Sequence, residues 1–146
     1  MGSTSLDFLL GWDGNLSQKI ELPIERHGKP FITVTLSSMT GEEQTKYEKQ
    51  ATSHVRTRTG VETELDEVKL VKLHILNHVI DPNLKDPQLL SKFGCDVNNP
   101  IPIVDKVFLP GEQVKIASAI LRLSGFSNIN EMDDELANLL ENSKNA

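Results

Sequence analysis

The sequence predicts an α+β fold, mainly α, in which an N-terminal β-hairpin packs on a small helical bundle. Two patterns predict it: apolar residues alternate with polar ones over residues 19–36, and later recur every three to four positions. A length of 146 residues suits one domain, which we place at 16–126. We expect a flexible or docking arm at 1–15 and an acidic helix or tail at 127–146.

The hairpin forms from two alternating runs that flank a turn containing Gly28 and Pro30. The first run contains Pro23, which has no N–H group to donate to a neighbouring strand. We therefore expect the first strand to lie at the edge of its sheet.

Helix boundaries follow from capping signals. Thr40 and Glu43 form a capping box that starts a helix over about 41–52, and residues 53–63 are expected to be an exposed, mobile loop. A broad apolar face over about 65–79 predicts the central helix. Asp86 and Pro87 begin a short helix that ends at Gly94.

Three further elements complete the chain. Pro100 and Pro102 delay the next helix until after 102. An amphipathic helix runs from Gly111 to Gly125, with Phe126 packing back as a C-terminal cap. A last acidic helix starts near 130.

Composition narrows the possible functions. A net charge of −6 argues against nucleic acid as a partner, and five carboxylates face one lysine within residues 130–146. Cys95 is the only cysteine, so the chain has no intramolecular disulfide or cysteine-based metal cluster. Apolar stretches fall far short of the ~20 residues that span a bilayer, and the N-terminus lacks a signal-peptide pattern. We expect neither membrane insertion nor standard secretion.

Evidence for catalysis is weak. His74 and His78 lie four apart on a helix and could bind a metal with Asp81 or Cys95, but two core histidines explain this spacing better. Cys95 lacks a catalytic signature, and no phosphate-binding loop is present. We predict no enzyme activity, no cofactor and no metal.

Apolar residues are abundant over 6–12, 89–93 and 108–109 for such short elements. Either all of them pack inside, or some line a groove for an amphipathic partner helix. The candidate partner-binding residues are Leu84, Leu89, Leu90, Phe93, Phe108 and Leu109.

Two C-terminal blocks, residues 82–94 and 111–126, resemble phage tail assembly chaperones of the XkdN-like type from prophages of Gram-positive bacteria. Weaker similarity lies in the turn around Gly28 and in the helix start at Thr40 and Glu43. Residues 99–104 depart from the more charged helical stretch expected there.

The resemblance implies a non-enzymatic factor in the host bacterial cytoplasm that is absent from the mature virion. It would bind the tape measure protein, keep it soluble and promote assembly of the tail tube around it. Further implied partners are the tail tube protein and a longer form of the chain made by programmed frameshifting, with which codons for Ser143, Lys144 and Asn145 are compatible. Homo-oligomers are also plausible. The alternative is a structural subunit, such as a connector or completion protein, retained in the virion.

Overall fold

The protein has a mixed α+β fold in a computed structural model that describes residues 4–126. The described elements, in chain order, are α1 (Thr4–Gly11), β1 (Lys19–Arg26), β2 (Lys29–Ser37), α2 (Gly41–Ala51), β3 (Thr52–Thr57), β4 (Gly60–Leu65), α3 (Glu67–His78), β5 (Val79–Asp81), α4 (Pro87–Lys92), α5 (Ile103–Val107) and α6 (Pro110–Leu123). The acidic helix expected from residue 130 lies outside the described residues.

The N-terminal hairpin forms where the sequence predicts it. Strands β1 and β2 pair antiparallel, with Leu22 opposite Val34. His27 and Gly28 have φ angles of +54° and +74°, as the two central residues of a type I′ turn require. Val34 and Leu36 alternate with more exposed residues of β2 and are fully buried.

A third strand, β5, extends this sheet. It begins at Val79, which the sequence had placed in the central helix. Helix α3 begins at Glu67 because Asp66 caps it, and it ends at His78, so it is shorter than the expected 65–79. Val79 then pairs with Leu36, and the strand order is β1-β2-β5. Strand β1 is therefore an edge strand, as Pro23 predicted.

The region expected to be a mobile loop is a second β-hairpin. Strands β3 and β4 pair in continuous register from Thr52–Leu65 to Thr57–Gly60. All but two of their residues are exposed, so neither face has the apolar alternation that would have identified a strand. Its base is closed by a backbone hydrogen bond of 2.8 Å from Asp66 N to Ala51 O.

The helical layer covers one face of the three-stranded sheet. Helix α3 contacts α2, α5 and α6, and α6 also contacts β1 and β2. The core between them is made of fully buried aliphatic side chains: Val34, Leu36, Ile75, Leu84, Leu90, Ile103, Val104, Ile116, Ala117 and Ile120.

The predicted helix signals at the C-terminal half are confirmed. The Asp86 carboxylate accepts hydrogen bonds from Gln88 N and Leu89 N, and α4 begins at Pro87. Helix α5 starts directly after Pro102. Helix α6 ends in a cap in which Gly125 has a φ of +99° and Phe126 N donates to Leu121 O, although the Phe126 side chain remains 43% exposed.

Candidate partner-binding surface

The N-terminal helix α1 exposes its apolar side chains to solvent. Leu10 and Phe8 are 76% and 70% exposed, the highest values among the large apolar residues in the described part of the chain. Every residue from 5 to 20 is exposed, so α1 adds nothing to the core. An eight-residue helix is marginal on its own in water. Such a helix with an open apolar surface is typical of a segment that packs against another molecule.

We call residues 4–18 the N-terminal arm. In addition to α1, it contains Trp12 and Leu16, which are 39% and 57% exposed. Asp7 and Asp13 are the only charged residues within 4–18. The arm therefore presents an apolar and slightly acidic surface, which would suit an apolar helix with basic flanks.

Local hydrogen bonds shape the link between α1 and the sheet. The Asp13 carboxylate accepts from Asn15 N, and the Asn15 side chain accepts from Ser17 N, each at 2.9 Å. These side-chain turns give the connector a defined path. Ser38 then fixes its end, because its Oγ accepts from Gln18 N at 2.8 Å and donates to Leu16 O at 3.2 Å.

The six partner-binding residues predicted from sequence differ in exposure: three are buried, two are half-buried and one is exposed. Leu84, Leu90 and Phe108 are at most 2% exposed and belong to the core, so they form no accessible surface in this structure. Leu89 and Phe93 are half-buried against that core. Leu109 alone is well exposed, at 56%.

The two histidines of α3 are core residues with protein partners. His78 Nε2 lies 2.9 Å from Tyr47 Oη, and His78 Nδ1 lies 3.1 Å from Ser37 Oγ. His74 Nε2 lies 2.7 Å from the Gln44 side-chain oxygen. Both rings pack edge-on against Tyr47, with centroids 5.8 and 5.5 Å away.

Burial determines the protonation state of His74, His78 and Tyr47. Burial, and to a smaller extent the neighbouring His78, lowers the pKa of His74 to about 4. Burial also lowers the pKa of His78, although Glu43 opposes the effect. The pKa of Tyr47 rises to about 12, mainly through burial and then through the charge of Glu43. Neutral side chains therefore fill this site near pH 7.

The suggested third metal ligands do not join the histidines. Within residues 4–126, no group of three His, Cys, Asp or Glu side chains is arranged to hold a metal ion. Cys95 is half-buried, with its Sγ 3.8 Å from Phe93 O. The sequence did not identify Tyr47 and Ser37 as partners of His78. They contact its ring from α2 and β2, and no local motif marks them as its partners.

Sequence comparison identifies the family. The sequence profile of the phage XkdN-like tail assembly chaperone proteins matches residues 6–142. The chain belongs to this family. The match begins within α1 and therefore includes most of the exposed helix. Membership of a chaperone family favours a non-enzymatic role.

The fold of this chaperone-family chain is similar to that in the crystal structure of the protein YqbN. The two share 16% sequence identity and superpose with a TM-score of 0.56, over 76% of this chain and 87% of YqbN. At this identity the likeness concerns the fold alone. Among curated proteins, none matches the chain significantly. No described helix is long and apolar enough to cross a membrane.

Proposed function

We propose that this protein is a tail assembly chaperone that binds the tape measure protein, keeps it soluble in the host cytoplasm, and promotes assembly of the tail tube around it before leaving. Membership of the XkdN-like tail assembly chaperone family carries the proposal. A tape measure protein exposes long apolar helical stripes until the tube encloses it. A chaperone that covers these stripes and adds negative charge would oppose their aggregation.

The N-terminal arm supports this proposal physically. Leu6, Leu9 and Leu10 share the i, i+3, i+4 spacing of one helical face, and each is more than half exposed. We assign the main contact with the tape measure protein to this face and to Phe8. Leu109 is the exposed member of the sequence-predicted group and is proposed as a secondary contact.

Co-expression with the phage's tape measure protein tests the proposal. We expect the tape measure protein to be insoluble alone, and to remain soluble and co-elute with this chain in size-exclusion chromatography. The Phe8→Asp/Leu10→Asp variant should lose co-elution. Val61→Asp/Val97→Asp is the matched control, because these side chains are 64% and 60% exposed elsewhere. A folded chain that neither binds nor solubilises the tape measure protein would contradict the proposal.

Mass spectrometry of purified particles separates this function from that of a structural tail subunit. We expect the protein to be absent from mature virions. Its presence at the stoichiometry of a tail component would favour a connector or completion protein.

The binding variants also locate the contact. Retained binding by Phe8→Asp/Leu10→Asp, with loss of binding in Leu109→Asp, would place the main contact at Leu109 and not on the arm.

A further inference from the structure

A groove runs between helix α6 and the edge strand β1, and we call it the α6–β1 groove. Its floor consists of Leu22, Val114 and Ala119, which are half-buried and pack against the core. Lys115 and Arg122 are exposed along the same face of α6, two helical turns apart. The lining residues are Leu22, Gly111, Val114, Lys115, Ser118, Ala119 and Arg122.

The charges of the groove are not neutralised by the rest of the described structure. Over residues 4–126, the ion pairs join Arg26 to Glu112 and Lys72 to Asp105, and the one His–carboxylate contact joins His78 to Glu43; none of these involves Lys115 or Arg122. The groove thus combines an apolar floor with a positive rim. A suitable occupant has an apolar stripe flanked by carboxylates.

The 20 residues after Phe126 carry this pattern in their sequence. Four apolar residues recur at i, i+4, i+7 and i+8: Met132, Leu136, Leu139 and Leu140. The carboxylates are Glu131, Asp133, Asp134, Glu135 and Glu141, against the single basic residue Lys144. No other stretch of the chain is as acidic.

The described chain ends near the groove, because Phe126 lies only four residues after Arg122, which lines it. Gly125, with its φ of +99°, and the hydrogen bond from Phe126 N to Leu121 O turn the backbone out of the helix axis. Helix α6 has 14 residues and spans about 21 Å, and a helix over residues 131–141 would span about 16 Å. A short connection over 127–130 suffices for an antiparallel pair of helices.

We propose that residues 127–146 dock as an amphipathic helix in the α6–β1 groove of the same chain. Met132 and Leu136 then cover Val114 and Ala119, and the first-turn carboxylates lie beside Arg122. Because the segment is tethered a few residues from its site, its effective concentration is high and docking needs little intrinsic affinity. The proposal concerns the isolated chain and is independent of the function proposed above.

Hydrogen exchange of the full chain at low and high protein concentration tests the docking. We expect amides of 131–141 to exchange at least roughly tenfold more slowly than in the corresponding free peptide, equally at both concentrations. Lys115→Glu/Arg122→Glu should abolish this protection. Adding Glu131→Lys/Glu135→Lys to that variant should restore it. Lys46→Glu/Lys49→Glu on α2 makes the same charge change at exposed sites and should leave protection intact.

Three results would overturn the proposal. Exchange of 131–141 at the free-peptide rate would show that the segment does not dock. Protection that increases with protein concentration would assign the groove to a second copy of the chain. Protection that survives Lys115→Glu/Arg122→Glu would place the segment on another surface. The substituted lysines and arginine are exposed, so circular dichroism should show the variants folded.

Discussion

Arg26 and Glu112, 86 residues apart in sequence, form a two-pronged ion pair between the N-terminal hairpin and the first turn of α6. Arg26 Nε donates to Glu112 Oε2 at 2.9 Å, and Nη2 donates to Oε1 at 2.8 Å. Nη2 also donates to Val107 O, and the guanidinium lies 3.7 Å from the centroid of the Phe31 ring. The arginine hydrogen bonds lower the pKa of Glu112, so this carboxylate remains charged.

Breaking this pair should destabilise the protein. We expect Arg26→Met to lower the free energy of unfolding by about 1–3 kcal/mol, because Glu112 is only 11% exposed and would lose its charged partner. Urea unfolding measures the change. Arg26→Met/Glu112→Met should cost less than the sum of the two single variants. Additive losses would show that the two residues contribute independently.

Acid should weaken the fold through His74. In the unfolded chain a histidine has a pKa of about 6.5, whereas burial holds the His74 pKa at about 4. Between these values the unfolded state binds a proton that the folded state does not, so stability falls as pH decreases through this window. The full effect is at most about 3 kcal/mol and is complete below the folded pKa.

His74→Leu tests this linkage by its pH slope. The variant should show a smaller loss of unfolding free energy between pH 6.5 and 4 than the parent chain, whatever its stability at pH 7. Equal slopes in His74→Leu and the parent would exclude His74 as the source.

Residues that the sequence grouped as a binding surface should separate into core and surface by stability. Leu90→Ala is expected to cost about 2–5 kcal/mol, since Leu90 is fully buried. Leu109→Ala should change stability by less than about 0.5 kcal/mol. Denaturant unfolding measures both. A neutral Leu90→Ala would mean that this side chain is accessible in solution and would return it to the candidate surface.

The β3–β4 hairpin should be removable without loss of the fold. Its residues are almost all exposed, and the hydrogen bond between Asp66 and Ala51 already joins the two ends of its base. Replacing 53–64 by a Gly-Ser pair should therefore shift Tm by less than about 5 °C, which corresponds to about 1 kcal/mol. A loss of cooperative unfolding in a calorimetric scan would show that the hairpin contributes to the core.

Local signals predicted the fold where one short segment contains all the required information. The capping box of Thr40 and Glu43 is present as expected, with Thr40 Oγ1 accepting from Glu43 N at 3.2 Å. The Gly28 turn and the Asp86 cap succeed for the same reason. Local signals did not predict strand β5. Val79 continues the apolar pattern of α3, and it belongs to a strand only because it pairs with Leu36.

Burial was harder to predict than secondary structure. Phe108 and Leu109 are adjacent and equally apolar in sequence, yet they are 2% and 56% exposed. Phe108 closes the last turn of α5, with its N–H donating to Val104 O, whereas Leu109 starts α6 on the solvent side. Which of two apolar neighbours faces the core depends on the crossing of α5 and α6, which no local pattern encodes. The apolar residues of the first segment stop at Gly11 and Gly14, too early for a core helix, and the sequence therefore predicted a flexible or docking arm over 1–15.

The position of Trp12 gives the protein a built-in optical probe. It is the only tryptophan of the chain, and it lies in the N-terminal arm, where it is 39% exposed and does not belong to the buried core. Its emission therefore reports the polarity around the arm. A blue shift during titration with an unlabelled partner would report capture of the arm, without a dye or an engineered label.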